Sequence, residues 1–191
     1  MQSLTKASCP ADDAETSKTI ANFPLKSGET LGSASESKVI ILVFLRQFGC
    51  TFTRQLLRRL EEIQAAATLH AADLILVHML RDGAEVEYLR DHSDIARIAD
   101  PSCNLYRAFG LKKGGFLALF GPRVWWFALI SIFKGCGIGR IAGDERQMPG
   151  IFLYHKRNII ASQRAKSASD LPDLNALFRF LPQADPSPKE P

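Results

Sequence analysis

The stretch VIILVFLRQFGCTFTRQLLRRLEEIQ, from Val39 to Gln64, decides the fold. Its first seven residues are apolar without alternation, as in a strand that is buried on both faces of a parallel sheet. A short turn follows, and then Leu56, Leu60 and Ile63 recur at helical spacing among charged residues. We therefore predict a core strand that ends in a turn and is followed directly by a helix, which runs to near residue 70.

A single cysteine, Cys50, lies where this strand has ended and the helix begins. Free N–H groups at a helix start favour an anion, so a cysteine there is a thiolate, the nucleophilic form, more of the time. Arg46 and Arg54 flank it, and Arg146 is a third basic residue that could stabilise the thiolate. The alternative role for Cys50 is that of a small buried apolar residue, which free cysteine often has.

The residues around Cys50 resemble a known family of redox proteins. The peroxiredoxin-like branch of the alkyl hydroperoxide reductase/thiol-specific antioxidant family, in the thioredoxin-like superfamily, carries R-x-F-G-C-x-x-C-R between a strand and a helix. The run that begins at Asp100, D-P-S-x-x-L-Y-R-A-F-G-L, is similar to the same family. Thr53 differs, because it stands where the second cysteine would be. The matching residues are Arg46, Phe48, Gly49, Cys50 and Arg54.

This resemblance implies an α/β, thioredoxin-like fold. Its central mixed sheet would be flanked by helices, with a hydrophobic insertion at about 112–143 before the last hairpin. It also implies that Pro149, in the cis form, opens the first hairpin strand and faces the active cysteine. Other segments are predicted from periodicity. These are strands at 73–79, 95–99, 151–154 and 159–163, and helices at 82–92 (with Val86 and Leu89 inward), from 100 to 110, and from 170 to 181.

The activity that the resemblance implies is that of a thiol-dependent redox enzyme, an antioxidant of the thiol peroxidase type. Cys50 would attack a peroxide oxygen or a disulfide sulfur, with Thr53, Arg54 and Pro149 as further catalytic residues. The Thr53 hydroxyl lies one helical turn from the sulfur and could hydrogen-bond it. The resolving thiol would be Cys103, Cys136, a partner subunit's or an external one. Thioredoxin or glutathione would supply external thiols, and no cofactor is expected.

The alternative function is a non-catalytic binding module that keeps the fold without the chemistry. Its working surface would be the apolar insertion, which contains the adjacent Trp125 and Trp126. The insertion could also cover the sheet, form a homodimer surface, or touch a membrane through its basic flanks. Between residues 101 and 165 there are ten basic and two acidic residues, which is compatible with an anionic partner or with an ordinary solvated face. No nucleic-acid motif is present, so nucleic acid is not an expected partner.

The chain of 191 residues is long enough for one domain with a core, which we predict at 21–181. Residues 1–20 are small and polar and are expected to be disordered, and 182–191 form a proline-rich tail. No apolar run reaches about 20 residues, and the first residues do not resemble a signal peptide, so a cytoplasmic location is expected.

The remaining motifs carry weaker signals. Four cysteines and four histidines are widely spaced, which predicts neither a disulfide framework nor a metal site. Gly137, Gly139 and Ala142 match G-x-G-x-x-A, but the helix and the acidic residue that a dinucleotide site needs do not follow. A loop is the simpler interpretation. Cys103, near the start of a predicted helix, is expected either to be inert and buried or to be somewhat acidic.

Overall fold

The computed structural model describes residues 14–115, 143–167 and 170–182. The helices are α1 (Ala14–Ala21), α2 (Leu31–Ser37), α3 (Thr51–Leu57), α4 (Leu60–Leu69), α5 (Asn104–Ala108) and α6 (Leu174–Phe178). A single 3-10 turn lies at Arg90–His92. The strands are β1 (Ile40–Phe44), β2 (Asp73–His78), β3 (Ala96–Ala99), β4 (Gly150–His155) and β5 (Asn158–Arg164).

The strands form one mixed sheet with β1 in its centre. Their order is β3-β2-β1-β4-β5. β1, β2 and β3 run parallel to one another, whereas β4 runs antiparallel to both β1 and β5. Helices cover both faces of the sheet, so the predicted thioredoxin-like α/β architecture is confirmed.

Alternate residues of the central strand pack into two cores on opposite faces of the sheet. Ile41 and Val43 belong to a core that includes residues of α3, α4 and α6. Leu42 and Phe44 belong to the other, which includes residues of α1, α2 and α5. Each of these four side chains is fully buried, which stabilises the fold by about 1.5–3 kcal/mol per residue. The unbroken apolar run in the sequence is therefore explained by burial on both faces.

The N-terminal prediction needs a correction. Residues 14–20 were expected to belong to a disordered tail, but they lie in helix α1. Its Ile20 side chain is 3% exposed and packs in the core that contains Phe44. Its neighbour Ala21 is buried as well, so the end of this short polar helix docks against the domain, which composition alone does not reveal.

The segment 82–92 also differs from its prediction. It forms turns and one 3-10 turn in place of a regular helix. Leu89 is fully buried as predicted, but Val86 is 55% exposed and Glu85 is buried instead. The Glu85 carboxylate lies 3.8 Å from both the Arg97 guanidinium and the His78 ring, so the positive charge of Arg97 favours this inward position.

The predicted helix after Cys50 and the predicted last hairpin can both be compared with the structure. The helix after Cys50 is divided into α3 and α4, with a break at Arg58 and Arg59, although it ends near residue 70 as predicted. The hairpin of β4 and β5 is confirmed. Most of the predicted insertion, including Trp125, Trp126, Cys136 and the glycine-rich motif, lies outside the described residues.

Candidate active site

Cys50 lies at the end of a tight turn that leaves the centre of the sheet. It is the residue before α3, and its own N–H donates to the carbonyl of Gln47 at 3.2 Å. The Gln47 side chain closes the turn as well, because its Oε1 accepts the Gly49 N–H at 2.8 Å. Cys50 as a residue is 7% exposed, so its side chain is largely shielded from bulk water.

Arg46 is the basic residue that contacts the sulfur. Its Nη1 donates to Cys50 Sγ at 2.9 Å, and its Nη2 donates to the carbonyl of Glu145 at 2.7 Å. A guanidinium beside a cysteine favours the thiolate through charge and hydrogen bonding. The structure therefore brings the Cys50 thiol together with the Arg46 guanidinium. The Glu145 carbonyl accepts a hydrogen bond from the same guanidinium and holds it in place.

The loop that supplies this carbonyl is itself fixed. The Asp144 carboxylate accepts the Arg146 N–H at 2.8 Å and pairs with Lys113 Nζ at 2.6 Å. The hydrogen bond from Lys113 is the main reason why the pKa of Asp144 is lowered. Across the same junction, Gly114 N–H donates to the Arg146 carbonyl at 2.7 Å. The chain on both sides of residues 116–142 is thus tied to the turn that bears Cys50.

The other two arginines that sequence reasoning offered lie elsewhere. Arg54 is exposed and lines a separate surface groove with Phe48 and Tyr88. Arg146 is exposed and contributes its backbone to the loop. Within the described residues neither side chain hydrogen-bonds the Cys50 sulfur. Of the three arginines, Arg46 is the one whose side chain contacts the sulfur in the described part of the chain.

Thr53 is buried at 3% exposure, but its hydroxyl does not hydrogen-bond the sulfur. Within the described residues Oγ1 has no hydrogen-bond partner, and the buried Nε of Arg46 has none either. Both residues line a cavity of about 30 Å³, which has room for about one water-sized molecule. Buried polar groups normally find partners, so these two atoms mark the cavity as a place for a small polar ligand or water.

Pro149 lines the same cavity, together with Leu56 and Ile151. It directly precedes β4, as predicted, and its carbonyl accepts the Ala165 N–H at 3.1 Å. The peptide bond before Pro149 is trans in the structure, so the cis conformation expected from the resemblance is not found. Arg46, Thr53 and Pro149 therefore share one cavity, and neither Cys50 nor Arg54 lines it. Arg46 connects the cavity to the thiol, because its guanidinium contacts the Cys50 sulfur.

Cys103 is a buried thiol of a different character. Burial raises its pKa, and the nearby Asp100 carboxylate raises it further. Its backbone has a positive φ of 55°, and the thiol packs in the core that contains Phe44. The expectation of an acidic Cys103 is therefore wrong, and the alternative of an inert buried cysteine fits the structure. Cys9 and Cys136 lie outside the described residues.

Two groups near the turn were missed by sequence reasoning. His78 ends β2 and lies within 6.3 Å of the Phe48 ring, measured between ring centroids. Burial lowers the pKa of His78, against an opposing effect of Glu85. The second group is the hydroxyl of Tyr106, which reaches the carbonyl of Leu45, the residue before Arg46. His78 lies in an apolar run, and Tyr106 lies in the run that begins at Asp100, but neither pattern indicates a contact with the turn that bears Cys50.

Among the described residues, His, Cys, Asp and Glu side chains do not gather in groups of three or more that could hold a metal ion. In the same ranges, every helix falls short of the length and apolarity that a membrane-crossing helix needs.

Comparison with known proteins gives matches in structure alone. No protein-family model and no curated protein sequence matches the chain. A structure from Chlorobium tepidum, described as a thiol:disulfide interchange protein DsbE, matches with a TM-score of 0.53 and 16% identity. The match covers 83% of this chain and 91% of that one.

Two peroxidases are similar to a comparable degree. The bacterioferritin comigratory protein of Xanthomonas campestris, described for its alkyl peroxide reduction activity, gives a TM-score of 0.52 at 14% identity over 86% of this chain and 92% of its own. Thiol peroxidase from Chromobacterium violaceum gives 0.53 at 15% identity over 83% and 79%. At these identities the likeness concerns the fold, which is thioredoxin-like.

Proposed function

We propose that this protein is a thiol-dependent peroxidase in which Cys50 is the attacking residue and an external thiol is the reductant. The main support for this proposal is the hydrogen bond of 2.9 Å that the Arg46 guanidinium donates to Cys50 Sγ, just after the central strand. The folds of two thiol peroxidases and of a thiol:disulfide interchange protein support thiol redox chemistry of this general kind.

The first step is the attack of the Cys50 thiolate on one oxygen of a hydroperoxide. The O–O bond breaks, an S–O bond forms, and the leaving oxygen takes a proton and departs as an alcohol or as water. The sulfur is oxidised by two electrons to a sulfenic acid and the peroxide is reduced by the same two. We place the hydroperoxide in the cavity of about 30 Å³, where Thr53 Oγ1 and Arg46 Nε are free to hydrogen-bond its oxygens.

The second step consumes two external thiols. One thiol condenses with the sulfenic acid to give a mixed disulfide and water, and a second attacks that disulfide and releases Cys50. An external thiol is favoured because Thr53 replaces the local second cysteine. Cys103 is also a poor resolving residue, because burial raises its pKa. Glutathione or a thioredoxin would serve as the external thiol in a reducing compartment such as the cytoplasm.

Thiol–disulfide exchange without peroxide is less well supported. A peptide disulfide would have to reach a sulfur whose residue is 7% exposed, whereas hydrogen peroxide, which is little larger than water, is close in size to the cavity of about 30 Å³ that Arg46 lines. A non-catalytic binding module remains the alternative from a different class, and it requires an unreactive Cys50.

The test is peroxide consumption with an excess of a small dithiol, for the natural protein and for Cys50→Ser and Cys103→Ser. Both cysteines are free and buried, so the two variants remove similar side chains. We expect Cys50→Ser to abolish consumption and Cys103→Ser to retain it. Equal activity of Cys50→Ser and the natural protein would reject the proposal. The loss of activity in both variants would reject an external thiol as the resolving group.

A further inference from the structure

The hydroxyl of Tyr106 lies at the point where the chain leaves the central strand towards the active cysteine. Tyr106 is fully buried, and its hydroxyl oxygen is 2.6 Å from the Leu45 carbonyl and 2.9 Å from the Val77 carbonyl. A hydroxyl has one proton to donate. The Val77 carbonyl already accepts the Leu45 N–H at 2.9 Å. We therefore assign the hydroxyl proton of Tyr106 to the shorter contact, in which it is donated to the Leu45 carbonyl.

Helix α5 is anchored so that Tyr106 points at these carbonyls. The Asp100 carboxylate accepts three backbone N–H bonds at the start of this helix, from Asn104, Leu105 and Tyr106, at 2.8 to 3.2 Å. The N–H of Asp100 in turn donates to the His78 carbonyl at 2.8 Å, which ties the helix start to the end of β2. The Tyr106 ring packs edge-on against Phe44 with 4.9 Å between centroids.

We propose that Tyr106 is a positioning residue for the Cys50 thiol, an inference that rests on the proposed function. By holding the Leu45 carbonyl, the hydroxyl fixes the orientation of the peptide that leads into Arg46. The Arg46 guanidinium has to meet two acceptors at once, Cys50 Sγ at 2.9 Å and the Glu145 carbonyl at 2.7 Å. Without the hydroxyl, the buried carbonyl loses its partner and the peptide turns to find another, which draws the guanidinium off the sulfur.

The test compares Tyr106→Phe with Tyr154→Phe as a matched control. Tyr154 is also a buried tyrosine of the same core, but it pairs with Ile40 at the far end of β1 from the turn. The readout is the rate of Cys50 alkylation near neutral pH divided by the rate at alkaline pH, followed by mass spectrometry. The alkaline rate is taken well above the ordinary thiol pKa of about 8.5, where the thiolate dominates, so the ratio reports thiolate stabilisation and not access. Urea unfolding measures stability alongside.

We expect Tyr106→Phe to lower this ratio about three- to tenfold, as the loss of one hydrogen bond near the site would give, and Tyr154→Phe to leave it unchanged. An unchanged ratio in Tyr106→Phe, with a lowered ratio in Arg46→Met, would overturn this inference and leave the proposed function intact. An unchanged ratio in both Tyr106→Phe and Arg46→Met would overturn the role of Arg46 in the proposed function together with this inference.

A second pair of variants serves if Tyr106→Phe is too unstable to assay. Asp100→Asn weakens the anchor of the helix that carries Tyr106, and Asp173→Asn weakens the equivalent cap of α6, where Asp173 accepts the Ala176 N–H at 3.1 Å. We expect the ratio to fall in Asp100→Asn and not in Asp173→Asn. Equal ratios in the two would overturn the inference.

Discussion

At Arg46, one guanidinium is shared by two acceptors, a thiol and a backbone carbonyl. The carbonyl of Glu145 restricts where the side chain can go, so that its charge stays beside Cys50. The contact with Glu145 is not apparent from the sequence, because 99 residues separate it from Arg46. The result is a cation held in place before any substrate arrives.

Replacement of Arg46 by methionine tests this arrangement. Methionine keeps an unbranched chain and removes the charge and the donors. We expect Cys50 alkylation near neutral pH to slow about tenfold, as the loss of a charge-assisted hydrogen bond would give, with little change at alkaline pH. Arg54→Met is the control, because Arg54 is exposed and lines a separate groove. A similar effect of both variants would show that general positive charge, and not the Arg46 contact, favours the thiolate.

Thr53→Val removes the buried hydroxyl that has no partner within the described residues and keeps the shape of the side chain. Because no hydrogen bond is lost, we expect the free energy of unfolding to change by less than about 1 kcal/mol or to rise. If the hydroxyl binds the substrate in the cavity, peroxide turnover falls while Cys50 alkylation does not. Thr53→Ser, which keeps the hydroxyl, is the control for turnover. Unchanged turnover in Thr53→Val would remove Thr53 from the substrate site.

Strand β4 brings the second wall of the cavity against the central strand. Gly150, its first residue, lies opposite Phe44 in the antiparallel register. A methyl group on Gly150 would lie 2.9 Å from the Leu111 side chain and 3.1 Å from the Gln163 carbonyl. This glycine is therefore required by close packing where the proline-containing loop enters the sheet.

Gly150→Ala should consequently destabilise the fold by about 1–3 kcal/mol, the usual effect of overpacking a well-packed site. Gly115→Ala is the matched control, because a methyl group there meets no atom of the described residues within 4 Å. Urea unfolding of the two variants measures the difference. Comparable stabilities would mean that the start of β4 can shift without loss, and the cavity beside it would then be poorly defined.

Over the whole molecule, the pattern of apolar residues is sufficient to predict the strands of the sheet. The unbroken run of β1, the hairpin and the turn bearing Cys50 follow from local sequence, because each is dictated by burial or by strand length. The segment 82–92 could not be predicted, because it buries the charged Glu85 as well as Leu89, and the Glu85 partners His78 and Arg97 lie outside the segment. The contact of Arg46, and not of Arg54, with the sulfur likewise depends on the tertiary structure.

The buried His78 predicts how the stability of the protein depends on pH. Its pKa in the folded state is lowered, chiefly by burial, from the ordinary value of 6.5. Below pH 6.5 the unfolded chain therefore binds more protons than the folded protein, so stability is lost as the pH falls through this value towards the folded-state pKa. Acidic groups with lowered pKa values, such as Asp144, change the stability of the protein only at lower pH values.

Urea unfolding between about pH 7 and pH 5 measures this effect. We expect the natural protein to lose stability over this range and His78→Gln to lose less. His92→Gln, at a half-buried histidine outside the two cores, is the control and should follow the natural protein. A pH dependence that survives His78→Gln unchanged would mean that another group takes up the proton.

The most direct test of the proposed function is the alkylation of Cys50 and Cys103, the two buried cysteines of the described residues, with and without an equimolar amount of hydrogen peroxide. Alkylation of Cys50 and Cys103 near neutral pH is followed by mass spectrometry of their peptides. The proposed function predicts that Cys50 is labelled much faster than Cys103. It also predicts that peroxide protects Cys50 from labelling, because the thiol becomes a sulfenic acid or a mixed disulfide. Slow labelling of Cys50 that is indifferent to peroxide would contradict it and favour a binding module without thiol chemistry.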